Sequence, residues 1–136
     1  MSSASTVPVR RLASRTLATV PPEATLREVA EELALDEIGV VVVQHGHDPI
    51  GVISERDLVT AIGSGGDTGS QAAELMTVDL VTAPEETPVV DVARLMIDAG
   101  VRHVLVCEGG DDDVPGRVTG IVSMRDVVGA LLDDRT

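Results

Sequence analysis

From Leu17 the chain switches repeatedly between two hydrophobic periods. Leu17 to Val20 is a short apolar segment that stops at Pro21-Pro22. Leu26, Val29, Ala30 and Leu33 then recur at helical spacing with acidic residues between them, which predicts an amphipathic helix. Thr25 stands at its N-cap, with Glu28 three residues on in capping-box position. Val40 to Val43 is an unbroken β-branched run and Ile50 to Ile53 a second apolar one, with Gly46 and Pro49 between them. Two such runs around a turn predict a hairpin buried on both faces. Ser54 follows as N-cap of a further helix over Glu55 to Ile62.

The same series then repeats: strand Leu80 to Ala83, helix Pro88 to Ala99, strands Arg102 to Cys107 and Val118 to Val122, cap Ser123, helix Met124 to Leu132. Each half therefore reads β-α-β-β-α. An offset of 63 lays Leu17 on Leu80, Thr19 on Thr82, Pro21 on Pro84, Glu23 on Glu86 and Val43 on Val106. Past the hairpin turn the offset is 69, because CEGGDDDVPGRVT (107–119), with EGGDDDVPGR at its centre, stands where the first half has the shorter QHGHDPI (44–50), and GVISERDL (51–58) lies over GIVSMRDV (120–127). Length variation confined to a polar Gly/Pro/Asp connection is what a loop tolerates. A half of about 55 residues is marginal for a core of its own, so a pseudo-symmetric pair sharing one core is expected. The fold class is α/β (α+β), with repeats at 9–62 and 75–132 and a linker at 63–74 whose GSGGDTGSQ stretch is flexible by composition.

Composition sharpens this picture. No Phe, Trp or Tyr is present although 43% of the residues are hydrophobic, so the interior must be assembled from small aliphatic contacts. Such a core gains from oligomerisation. Helix faces such as Val59/Ile62 and Val128/Leu131/Leu132 are the expected homodimer surface. Net charge is −13 with no lysine, a field that repels nucleic acid and anionic lipid. Apolar runs are far shorter than the roughly 20 residues that span a bilayer, and the Ser-rich start lacks a signal-peptide core. A single cysteine, Cys107, fits a reducing compartment. A cytoplasmic protein without nucleic acid or membrane partners is expected.

The order of these elements, G-(I/V)-(I/V)-S-x-R-D-(L/V) closing each half, and GVRHVLV before the second hairpin resemble a tandem pair of cystathionine-β-synthase (CBS) domains, a Bateman module. The resemblance spans roughly residues 9 to 132, nearly the whole chain, and looks like a stand-alone pair. It implies two sheets packed face to face, two clefts between them, frequent homodimerisation, and binding of AMP, ADP, ATP or S-adenosylmethionine as a regulatory, energy-sensing ligand.

The S-x-R-D segment has its own chemistry. A serine and an aspartate three apart straddle the first turn of a helix, where free N–H groups and the dipole favour an anion and a carboxylate can accept the bonds of a cis-diol. The resemblance implies ribose binding by Asp57 and Asp126 and phosphate-side contact by Ser54 and Ser123. Reciprocal helix capping by the same residues is the structural alternative. An apolar wall for adenine falls to Ile38 and Val40 in one half and Val101 in the other, where ordinary core packing is the competing role. Arg56, Arg125 and Arg102 are candidate phosphate clamps, since a guanidinium matches a phosphate bidentately. Surface ion pairs with Glu55 or nearby acids are the alternative for Arg56 and Arg125. Arg102 and its neighbour His103 align with Gly39 and Val40, so the two clefts are chemically unequal. Family geometry implies that this clamp crosses to the cleft whose ribose is held by Asp57.

Other constellations carry less. His45, His47 and Asp48 in the first hairpin turn, and Asp111 to Asp113 in the second, read as solvated turns with no metal. Cys107 and His103 lie four apart on a strand, about 13 Å, too far for a thiolate pair. No nucleotide-loop or nucleophile-elbow motif is present. The expected function is therefore a non-catalytic module that senses an adenosyl compound and signals to an effector protein. The alternative is a protein-interaction or structural module with empty clefts.

Overall fold

Four β-branched residues in succession cannot form one amphipathic face of a helix, and Val40 to Val43 accordingly lies in a central strand. The structure, a computed structural model, describes residues 6–35, 39–65, 69–109 and 116–133. Elements β1 (Thr19–Val20), α1 (Leu26–Leu35), β2 (Val40–His45), β3 (Asp48–Ser54) and α2 (Glu55–Gly63) realise the first half. A short α3 (Ala72–Leu75) leads into β4 (Thr82–Pro84), α4 (Val89–Ala99), β5 (His103–Glu108), β6 (Arg117–Ser123) and α5 (Met124–Asp133). Each sheet has three strands, β1-β2-β3 and β4-β5-β6, with its first strand parallel to the middle one and its hairpin antiparallel. The fold is α/β, with two mixed sheets in the β-α-β-β-α order read from the periodicity. Both hairpins carry a register shift, at Val43/Gln44 and Val106/Cys107.

Helix starts follow the capping chemistry. Thr25 N–H donates to Glu28 Oε1 at 3.1 Å, and Glu28 N–H donates to Thr25 Oγ1 at 3.2 Å. This closes the box expected at α1. At the other end of α4, Gly100 takes a left-handed conformation (φ 67°) and its N–H bonds to Met96 O, the αL stop that glycine allows without Cβ strain.

Compactness divides the chain differently from repetition. One unit comprises residues 17–80; the other joins the segment up to residue 16 with everything from residue 81 on. Ser14 forms an antiparallel bridge with Ile121 on β6, and Thr77 forms the matching bridge with Val52 on β3. Pro8 pairs with Pro88 before α4, and Gln71 pairs with Thr25 before α1. All four matches obey the repeat offsets. The segment that enters each repeat therefore closes the sheet edge of the other repeat, and an edge so paired offers no free strand to another chain. Gly120 and Gly51 permit the approach. A Cβ on Gly120 would stand 2.8 Å from Ser14 O, and one on Gly51 would stand 2.5 Å from Met76 Sδ. From Ser70 onward the expected linker is engaged, with Ser70 O accepting from Leu26 N–H and Ala72 N–H donating to Ala24 O.

Each unit has its own aliphatic core. In the first, Val29 and Leu33 of α1 pack with Val41 and Val43 of β2 and Ile53 of β3, and Ala72 joins them. In the second, Val92 and Met96 of α4 pack with Val104, Val106 and Val122, and Val9 from the entering segment is fully buried among them. Arg10 adds an ion pair to Glu86 at 2.7 Å, but with 40% and 74% of the side chains exposed it contributes little.

Val9→Ala removes buried volume from the second unit although residue 9 opens the first repeat. We expect a loss on the order of 2 kcal/mol, with faster amide exchange in 81–133 and unchanged exchange in α1 and the β2–β3 hairpin. Protection lost from residues 17–63 instead would contradict this exchange of segments.

Candidate functional site

Both S-x-R-D segments sit where an edge strand becomes a helix, and both close a reciprocal box. Ser54 N–H donates to Asp57 Oδ2 at 2.9 Å and Asp57 N–H donates to Ser54 Oγ at 3.1 Å. In the second unit Ser123 N–H donates to Asp126 Oδ2 at 2.8 Å and Asp126 N–H donates to Ser123 Oγ at 3.2 Å. The capping alternative is thus realised in both copies. It does not use up the side chains. Each carboxylate spends Oδ2 on the cap and keeps Oδ1, and each hydroxyl accepts in the cap while retaining its own proton to donate. Asp57 and Asp126 are half-buried, held by the backbone and still reachable.

The amides are a different matter. The first helical N–H of α2, from Glu55, donates to Gly39 O at 3.1 Å, and that of α5, from Met124, donates to Arg102 O at 2.9 Å. The serine and aspartate N–H groups are spent in the boxes, so the Arg56 and Arg125 amides are the donors these bonds leave over in each first turn. An anion would find one amide there, plus a hydroxyl, and not the several free N–H groups expected from a bare helix start.

Strand register fixes what lies beside each box. Val40 pairs across the ladder with Ser54, and His103 pairs with Ser123, so each pair shares one sheet face. Val42 with Val52, and Leu105 with Ile121, continue those faces, while Val41, Val43, Val104 and Val106 turn to the helices. Val40 therefore belongs to the face of Ser54, as an adenine wall requires. Val101 does not: it packs against the core cluster of α4 and β5, the ordinary core role. Ile38 lies outside the described residues.

Arg56, Arg102 and Arg125 are exposed and form no ion pair among the described residues, so the surface-pair alternative finds no support. Through its carbonyl Arg102 stands at the first turn of α5, and His103 stands across from Ser123. Both therefore flank the Asp126 box of their own unit. Sequence reasoning passed over Glu55, whose side chain covers Gly39. Gly39 has φ 80°, and a Cβ there would lie 2.5 Å from Glu55 Oε1. The signal was present in the paired departures Gly39/Glu55 against Arg102/Met124.

His45, His47 and Asp48 are exposed, and the described residues contain no cluster of three metal-ligating side chains. Asp111 to Asp113 lie outside the described residues. Burial raises the pKa of the half-buried Cys107 thiol above its ordinary value, which disfavours the thiolate. No described helix is long and apolar enough to cross a membrane.

Two strand-to-helix boxes on twinned β-α-β-β-α units coincide with the two stretches, residues 9–64 and 72–133, that match the CBS domain pattern. The chain belongs to the CBS domain family. An uncharacterised 17.7 kDa protein from Acidianus ambivalens is 34% identical over 129 residues, covering 94% of this chain and 75% of that one. Among solved structures, the CBS domain protein PAE2072 from Pyrobaculum aerophilum, complexed with AMP, is similar with a TM-score of 0.77 and 28% identity over 93% of this chain and 99% of that chain. The CBS domain pair of protein MJ0100, in complex with 5′-methylthioadenosine and S-adenosylmethionine, gives a TM-score of 0.79 and 26% identity over 96% and 98% of the two chains. This tandem CBS pair keeps the S-x-R-D box in both motifs.

The cap makes a separable contribution to stability. Ser54→Ala is expected to cost about 1 kcal/mol in a denaturant titration, and Ser54→Gly only a few tenths. Equal losses for the two substitutions would show that the hydroxyl is not stabilising α2.

Proposed function

We propose that this CBS pair is a non-catalytic, cytoplasmic regulatory module that binds an adenosine-containing ligand in the cleft between its two motifs. The observation that carries this reading is the free Oδ1 of Asp57 and of Asp126, each carboxylate aimed by its own cap and accompanied by a serine O–H. A ribose hydroxyl can donate to that oxygen while the serine proton and the remaining first-turn amide meet a phosphate. AMP and S-adenosylmethionine in similar CBS pairs support the ligand class. In this reading Ser54, Arg56 and Asp57 form one ligand turn with Val40 and Ile38 as its wall. Ser123, Arg125 and Asp126 form the other, with Arg102 and His103 beside it and Val101 behind. The downstream partner is an effector protein that reads the ligand-induced change.

The structural reading, an interaction module with empty clefts, is favoured by the reciprocal Ser–Asp hydrogen bonds, which give both residues a capping role of their own. Calorimetry with AMP, ADP, ATP and S-adenosylmethionine decides between the two. We expect saturable binding of at least one of them. Asp126→Ala should weaken AMP by about 1.5–3 kcal/mol, the range of a hydrogen bond to a charged group. Arg102→Ala should weaken AMP and leave adenosine nearly unchanged. Equal losses for both ligands would give Arg102 a role in the fold and none at the phosphate.

We also propose a homodimer. Val59 (67% exposed) and Ile62 (61%) on α2, and Val128 (62%) and Leu132 (59%) on α5, are large aliphatic side chains that the chain itself leaves uncovered. The Leu131 side chain, expected on the same face, lies outside the described ones. Light scattering at micromolar concentration should return twice the chain mass of 14.1 kDa, and a monomer would refute the proposal.

A further inference from the structure

The two ligand turns carry opposite charge. Around the Ser54 box stand Glu55, Arg56 and Asp57, with uncharged Gly39 and Val40 on the neighbouring strand, a net −1. Around the Ser123 box stand Met124, Arg125 and Asp126, with Arg102 and His103 on the neighbouring strand, a net +1 when His103 is neutral. The difference arises from one coupled pair of positions. Where the second motif has Arg102 touching the first turn through its carbonyl, the first has Gly39, whose missing side chain makes room for the Glu55 carboxylate. The Glu55 carboxylate lies over Gly39, whose φ of 80° disfavours any larger residue, so the strand start gives up a cation while the helix start takes on an anion.

We propose that Glu55 is a specificity-determining residue that excludes phosphate from the Ser54–Asp57 turn, so that this turn takes an adenosyl compound without phosphate, uncharged or cationic, while the Ser123–Asp126 turn takes the phosphorylated one. The proposal rests on the adenosyl reading above. Its allocation is the reverse of the one a clamp crossing to Asp57 implies. Glu55 at the first helical position also favours α2 through the helix dipole, which accounts for its presence without a ligand. That contribution moves stability. It does not move the ratio of AMP to adenosine affinity.

Calorimetric titration of AMP and of adenosine into the full chain and its variants tests this. AMP binding should be weakened in Asp126→Ala and kept in Asp57→Ala, whereas adenosine should be weakened by either substitution. Glu55→Gln should strengthen AMP at the Ser54–Asp57 turn about tenfold, the size of one unit charge facing another at roughly 6 Å in a partly screened surface site. Adenosine affinity should stay as it was, and the gain should vanish when Asp57→Ala is added. A second arm needs no variant at position 55. In Asp126→Ala, residual AMP binding should strengthen as salt rises, because screening relieves repulsion, while in Asp57→Ala it should weaken. AMP binding that follows Asp57 and not Asp126, or salt slopes of the same sign at both turns, would overturn the allocation and leave the adenosyl reading standing. Failure of AMP and adenosine alike, together with S-adenosylmethionine, would overturn both.

Discussion

The bond from a strand-end serine N–H to an aspartate carboxylate three residues later is the interaction on which the rest of this molecule turns. It satisfies the serine amide where β3 becomes α2 and β6 becomes α5, and so fixes the direction in which each closing helix leaves its sheet. The same bond holds one carboxylate oxygen and thereby orients the other. Capping and ligand binding are usually weighed as rival explanations for an S-x-x-D. Here the cap uses Oδ2 of each aspartate and leaves Oδ1 and the serine proton over, so in the proposed reading the two roles draw on different atoms and the cap holds the carboxylate rigidly for a ribose. What the cap removes is amide donors. The sequence pattern suggested a generous anion nest; the structure leaves one free amide per turn in the described bonding, which puts more of the burden of holding a phosphate on arginine side chains.

A second constraint comes from the absence of aromatic residues. With Val, Ile, Leu, Ala and Met alone, each motif buries no aromatic ring, and its sheet of three short strands gains from any edge that is covered. The exchange of entering segments bridges one edge of each sheet, at Val52 of β3 and Ile121 of β6. Val9 and Leu12 complete the core of the second unit, and Leu75 and Met76 that of the first. Neither repeat, cut at its sequence boundaries, keeps the segment that closes its own edge strand. The pair is therefore the smallest stretch that contains two complete units.

Much of this was legible in the sequence. The repeat offsets, the three capping boxes and the order β-α-β-β-α all follow from local signals: period, β-branching and the Ser/Thr-x-x-Asp/Glu spacing. The strands of the first hairpin ran one or two residues beyond the expected ends because pairing extends over Gln44-His45 and Asp48-Pro49, which are polar or constrained and carry no apolar signal, whereas β1 and β4 begin two residues later than Leu17 and Leu80. The exchange of segments was not legible. Ser14 and Thr77 make long-range bridges that no local pattern encodes, and the Ser/Gly-rich composition around residues 63–71 pointed to a free linker where Ser70 and Gln71 are in fact bonded to the start of α1. Val101, which precedes β5 where alternation has not yet begun, packs against the second core, the role set beside the adenine wall in the sequence.

Duplication gives two turns of the same shape, and shape alone would make them respond alike. Backbone geometry has indeed been kept: both boxes match atom for atom, within 0.1 Å of each other in each of their two bonds. Divergence has gone instead into side chains that neither the cap nor the core constrains, Glu55 against Met124 and Gly39 against Arg102. Substitution at Glu55, Met124 and Arg102, all exposed, leaves the aliphatic cores untouched, so charge can change there at little cost in stability; Gly39, at φ 80°, is the one of the four that its backbone holds. A pair built this way can hold two unlike ligands on one scaffold, and the occupancy of one turn can be set by a different metabolite from the other. In the proposed reading the regulatory information lies in the inequality of the motifs, while their likeness serves the fold.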